Sequence, residues 1–131
     1  MLLCLISVNV TAQNFMIITN NNVEDEVDSK TIKRIFLGKK TQWNNHNTIV
    51  FFVFSSDDVF DQFVRQFLGK SRKQFNNYWK RRVFTGKGLI PKSYDNIDLL
   101  IDSVRKTNGS ISFIPNGEFQ LENIRVLNIE K

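Results

Sequence analysis

The sequence predicts an α/β domain on a mixed sheet with helices on both faces, and three observations carry that expectation. Thr48 to Phe54 is an unbroken apolar run of β-branched and aromatic residues, the mark of a strand covered on both sides. Segments with helical spacing of apolar residues follow, and glycines such as Gly38 and Gly69 stand where they should stop. The resulting order, β-α-β-α-α-α-β-β, fits layers of helix packed on sheet. With 131 residues, 41% hydrophobic content and 12 phenylalanines, the chain can bury one core without disulfides or metal. A single domain is expected, with no linker, repeat or low-complexity segment.

Leu2 to Val8 is apolar, and Val10 and Ala12 are small residues at the spacing a signal peptidase accepts. Residues 1–12 therefore read as a signal peptide cleaved after Ala12, truncated in front because no Lys or Arg precedes the run. The mature domain is then 13–131 and its location periplasmic. A buried strand is the alternative reading. The run is too short to span a bilayer, which takes about 20 residues, so no transmembrane segment is expected. Cys4, the single cysteine, cannot form an internal disulfide.

Phe15 to Ile18 reads as a short buried strand and Thr19 to Asp28 as a polar loop. Ser29 is placed to cap a helix with Ile32, Ile35 and Phe36 on one face, and Gly38 supplies a left-handed stop. After the Thr48–Phe54 strand, Ser55-Ser56-Asp57-Asp58 opens a helix carrying Phe60, Phe63, Phe67 and Leu68, closed by Gly69. Ser71 caps the next helix, whose apolar face is Phe75, Tyr78, Trp79 and Val83. Phe84 to Lys92 reads as a loop. Tyr94 or Asp95 starts a helix through Leu99, Leu100 and Val104 that ends near Gly109. Ser110 to Ile114 is a strand, Pro115-Asn116-Gly117 a turn, and Ile124 to Ile129 a last strand.

A net charge of +5 favours acidic partners: phosphate groups, nucleic acid or anionic membranes. One His and one Cys do not make a protein-only zinc site. His46, in the polar run Trp43 to Asn47, reads as a solvated turn histidine. Asp57 with Asp58, and Glu24 to Asp28, lack calcium-loop spacing and read as surface charge. No catalytic constellation or cofactor motif is present, so the expectation is a non-enzyme. Lys70, Arg72, Lys73, Lys80, Arg81 and Arg82 surround Tyr78 and Trp79, but those aromatics lie on the core face. Nucleic-acid binding is therefore not expected, whereas a membrane transporter or envelope protein is a candidate partner.

Several blocks in order carry a resemblance: Ile35-Phe36-Leu37-Gly38-Lys39 with Trp43, Ile49 to Phe54, and Phe67-Leu68-Gly69-Lys70. Trp79, Phe84-Thr85-Gly86-Lys87-Gly88 and Pro91 follow, then Gly109 with Ile111 to Ile114. Together they resemble the phosphate-binding proteins of ABC uptake systems, with Ser112 and Phe113 standing where that family has glycine and tyrosine. The resemblance implies one lobe of a type II periplasmic-binding-protein fold and a substrate-binding role in phosphate uptake. Full-length members have two lobes, so the chain is similar to short, single-domain members.

In that family the loop after the strand matching Thr48–Phe54 carries an arginine and a Ser-Gly-Thr group that hold the anion at a helix N-terminus. Here Ser55 and Ser56 keep the hydroxyls, the arginine is missing, and Asp57 and Asp58 follow. Unit charges about 4 Å apart near a surface interact by about 4 kcal/mol, more than one hydroxyl hydrogen bond returns. Thr85-Gly86-Lys87-Gly88 is the other anion-friendly segment: its glycines allow amides to converge as a nest, and Lys87 adds charge. It lacks P-loop spacing, so nucleotide hydrolysis is not implied. Two functions stay open. One is a domain binding phosphate or another small oxyanion through Ser55, Ser56, Thr85, Gly86 and Lys87. The other is an accessory or protein-interaction module of the cell envelope that has lost its ligand.

Overall fold

The computed structural model of the protein describes residues 15–127 and Ile129. The Leu2–Val8 run, the Ala12 cleavage position and the Asp57 side chain lie outside the described set.

Strand β1 (Phe15–Asn20) is followed by α1 (Ser29–Phe36), β2 (Val50–Phe54) and α2 (Asp57–Phe63), which continues as a π-helical turn over Val64–Leu68. Next come α3 (Arg72–Phe84), β3 (Lys92–Tyr94), α4 (Ile97–Lys106), β4 (Ser110–Pro115) and β5 (Ile124–Leu127). The five strands form one sheet in the order β3-β2-β4-β1-β5. It is mixed: β2 runs parallel to both β3 and β4, with Val53 opposite Ser93 and Phe51 opposite Ile111. Strand β1 runs antiparallel to β4 and β5, with Ile17 between Phe113 and Leu127.

Strand alternation sends side chains to two covered faces. On one, Phe113 stacks on Phe63 of α2 with centroids 3.9 Å apart, and Phe15 meets Phe63 and Phe67 edge-on. Phe51 joins Phe36 of α1 to Trp79 of α3 on that side. The opposite face is covered by α4 through Leu100, Ile101 and Val104, all buried. There Asn20 donates to the carbonyls of Val104 and Arg105, and Ser110 Oγ donates to Val104 O, tying β1 and β4 to the end of α4. The expected mixed sheet with helices on both faces is the fold of this chain.

Local differences from the sequence reading have physical reasons. Asp28, not Ser29, caps α1: its backbone is extended, and Oδ1 accepts from Thr31 N at 2.7 Å while Ser29 is already helical. Thr19 and Asn20 belong to β1 and are buried rather than in the loop. Strand β2 starts at Val50, because Thr48 is held in an isolated bridge to Gln42 and Ile49 N donates to Thr41 O. Strand β3 stands where the spacing predicts a loop and a helix start; Lys92 and Ser93 carry no apolar signal, and backbone pairing to β2 alone makes the strand. Helix α4 accordingly starts later, capped by Asn96, whose Oδ1 accepts from Leu99 N. Leu99, expected on the core face, is 58% exposed, because Leu100, Ile101 and Val104 define that face. The segment after α2 becomes a π turn that buries Phe67 and Leu68 before Gly69 ends it at φ 63°. The described part of β5 stops at Leu127.

Two tryptophans lock the loops to this frame. Trp43 Nε1 donates to Gly109 O at 2.9 Å, and Trp79 Nε1 donates to Phe36 O at 3.1 Å. Gly109 is at φ 75°, and a Cβ there would run into the Thr48 carbonyl oxygen, so only glycine suits that junction.

Candidate functional site

The parallel strands β2 and β3 end beside one another, and the connection from β2 to α2 must leave the sheet there. In open α/β sheets such carboxyl ends form a crevice. In this chain the crevice is a cleft of about 190 Å³. Its apolar wall is Val53, Phe60, Phe75, Ile90 and Pro91. Its polar groups are Ser55 just after β2, Ser93 in β3, and Arg72 and Asn76 on the first turns of α3.

Ser55 is held by its backbone and side chain together: N and Oγ both donate to Tyr94 O, at 2.9 and 3.1 Å. Its oxygen keeps acceptor capacity, and its proton can be redirected only by giving up the Tyr94 bond. Arg72 is positioned by a capping box. Ser71 Oγ accepts from Gln74 N, Gln74 Oε1 accepts from Ser71 N, and Arg72 becomes the first residue of α3. Its Nε donates to Asp61 Oδ1 at 3.0 Å, and its guanidinium lies 5.3 Å from the Phe60 ring centroid. A cation therefore sits in the same cleft as Ser55 although the loop after β2 has none. Local sequence carries no signal for it, because Arg72 is 17 positions downstream and reads as one of a run of solvated cations. Asn76 and Ser93 escape sequence reasoning for the same reason: they meet only through tertiary packing.

Ser56 takes the N-cap position of α2 with extended backbone, but its side chain makes no capping bond, and it is not among the cleft-lining residues. Asp58, exposed on the first turn of α2, adds negative charge near that end.

Thr85, Gly86 and Lys87 lie elsewhere. They follow the last turn of α3, nine residues beyond Asn76, or about 13 Å at 1.5 Å per residue. Their amides are turned into the helix: Thr85 N donates to Arg81 O, Gly86 N to Val83 O and Lys87 N to Arg82 O. Thr85 Oγ1 donates to Arg81 O as well. The converging amides of a nest are thus spent on closing a helix C-terminus, the negative pole of its dipole. The structure does not bring this turn together with Ser55.

His46 is exposed in a turn at φ 67°, with its N donating to Trp43 O. Among the described residues no group of three His, Cys, Asp or Glu side chains is placed to hold a metal ion. No helix among them is long and apolar enough to cross a membrane.

Comparison of the whole fold identifies its neighbours. A protein of Clostridium perfringens described as a phosphate ABC transporter substrate-binding protein, solved with bound phosphate, matches with a TM-score of 0.64. The match has 15% sequence identity and covers 88% of this chain and 44% of that one. The fold is that of phosphate-transporter substrate-binding proteins. An ABC-type phosphate transport receptor of Vibrio cholerae matches at a TM-score of 0.59 and 11% identity, over 90% of this chain and 46% of the receptor. The chain spans less than half the length of either protein. No protein-family model matches the sequence, and no curated protein matches it significantly.

Proposed function

We propose that this chain is an exported, periplasmic, non-catalytic binding domain of the phosphate-transporter type, and that its cleft receives a small oxyanion such as phosphate. The observation that carries the reading is the meeting of Arg72 with Ser55 at the ends of β2 and β3. The fold shared with a phosphate-bound transporter protein supports it. A guanidinium offers paired donors to a tetrahedral oxyanion, and Ser55, Asn76 and Ser93 add neutral donors. Ser56, next to Ser55 at the N-cap of α2, is a further hydroxyl with no capping bond of its own. The Thr85–Lys87 turn contributes the Lys87 charge at a distance rather than amide contacts.

The experiment is a thermal melt of the protein at low salt with phosphate, sulfate and chloride. Saturation to about 100 times the dissociation constant adds about 2.7 kcal/mol and moves the midpoint by several degrees. An anion-specific shift that Ser55→Ala and Arg72→Gln each reduce is the expected result. The reading is refuted by an absence of any shift, or by a shift that both variants leave intact.

A second reading, an accessory or protein-interaction module without a ligand, is favoured by one observation: Asp61 already engages the Arg72 guanidinium. Co-purification of a stoichiometric envelope protein or membrane transporter, with no anion effect on melting, would select it.

A further inference from the structure

Phe84, Leu89 and Ile90 are exposed to 92%, 86% and 70%, and all stand at the connection between α3 and β3. Single exposed apolar residues are ordinary, but large ones gathered on one short segment mark a contact surface. The segment forms a spur that starts from a hydrogen-bonded turn. Its turn is closed by the Thr85, Gly86 and Lys87 amides, Arg82 donates to Lys87 O, and Gly88 lies against the Trp79 indole. Phe84, Leu89 and Ile90 stand in water on either side of this bonded turn.

The chain segment that carries the spur has charge of one sign. Between Gln62 and Ser93 the chain has nine Lys and Arg and no Asp or Glu. The other nine cations are outnumbered by all 13 acidic residues, so the whole positive surplus belongs to this segment. Lys80 and Arg81 precede Phe84 by four and three residues, hence share its side of α3, and Lys87 and Lys92 bracket Leu89 and Ile90. All four cations are exposed.

We propose that the Phe84–Ile90 spur, with Lys80, Arg81, Lys87 and Lys92 around it, docks the protein on an anionic lipid surface. Apolar tips enter the boundary between headgroups and acyl chains while the cations meet anionic headgroups. Nucleic acid fits less well. Stacking along a strand needs successive exposed aromatic faces, and the spur offers one ring, Phe84: Trp79 is buried and bonded to Phe36 O, and Leu89 and Ile90 are aliphatic. The inference does not depend on the oxyanion reading, although Ile90 and Pro91 root the spur in the cleft wall.

The test is co-sedimentation of the full chain with phosphatidylcholine vesicles, with and without phosphatidylglycerol. Binding to the anionic vesicles alone, weakened by salt and unaffected by millimolar inorganic phosphate, is expected. The triple variant Phe84→Ser, Leu89→Ser, Ile90→Ser should lose about tenfold or more in partitioning with no fall in melting temperature. Phe84→Trp should shift its emission to the blue on anionic vesicles, a readout that a purely electrostatic association would not give. The proposal is overturned by absence of binding, by a triple variant that binds as well as the parent, or by oligonucleotides binding in preference to vesicles. Self-association that buries the indole of the Phe84→Trp variant without lipid would also overturn it.

Discussion

The indole of Trp79 lies directly over Gly38: a Cβ on that glycine would fall 2.7 Å from Cη2 of the ring. Gly38 is also at φ 71°, ending α1 in the left-handed region. Conformation and space thus both demand glycine. Gly38→Ala is expected to destabilise the fold by about 2 kcal/mol or more, the sum of left-handed backbone strain and displacement of a buried ring. Urea unfolding measures it, and a loss under about 0.5 kcal/mol, typical of a tolerant surface site, would mean that the Trp79 contact is not a constraint.

Phe63 and Phe84 separate core from spur. Phe63 is buried, stacked on Phe113 at 7° between ring planes and packed against Phe15 and Phe36. Phe63→Ala opens a cavity beneath α2 and should cost about 3–5 kcal/mol. Phe84→Ala removes a side chain that is almost wholly in water and should stay within about 0.5 kcal/mol of the parent. Equal losses at the two positions would contradict the assigned packing.

Two serines at helix starts should behave differently. Ser71 is bonded in both directions of a capping box, so Ser71→Ala is expected to cost about 1 kcal/mol. Ser56 occupies the same position of α2 without a side-chain bond, and Ser56→Ala should leave denaturant stability nearly unchanged. Any weakening of anion binding in Ser56→Ala would then report on the Ser56 hydroxyl and not on folding.

The contrast between these serines shows what was legible in the sequence. Capping by Ser71, the stops at Gly38 and Gly69 and the buried Phe52–Phe54 strand are local, and they stand where the spacing predicts them. The blocks that carry the family resemblance prove to be packing devices: Trp43 bonds the carbonyl of Gly109, and Trp79 sits between Gly38 and Gly88. They specify the fold, which is why the fold could be read. The cleft could not be read in the same way. Arg72 and Ser93 join Ser55 only after α3 and β3 fold against β2, and strand β3 has no hydrophobic pattern of its own. The Thr85–Lys87 glycine turn looks like an anion nest because sequence does not show that its amides point back into α3.

Acidification should weaken the fold through identified carboxylates. Hydrogen bonding from Thr31 lowers the Asp28 pKa below its ordinary 3.8, and the bond from Lys106 does the same for Asp102. A carboxylate with a depressed folded-state pKa stabilises above its unfolded value and loses that contribution as pH falls through the folded value. The expected window is therefore below about pH 4. Asp28→Asn keeps a capping oxygen but cannot titrate, so its stability should fall less steeply in that window than that of the parent. Identical acid-unfolding slopes would remove Asp28 from the account.

Asp61 sets the strength of the proposed anion site. Its carboxylate, 3.0 Å from Arg72 Nε, competes for the guanidinium that an incoming oxyanion would use, and it repels that anion as well. The pair is partly exposed, so its coupling belongs to the modest range of surface salt bridges. Asp61→Asn should therefore raise phosphate affinity by about two- to fivefold, the equivalent of that range, and Arg72→Gln in the same background should erase the gain. Titration calorimetry at low ionic strength measures both. If Asp61→Asn weakens binding instead, Asp61 serves to orient Arg72 toward the ligand, and the ion pair is part of the site rather than its competitor.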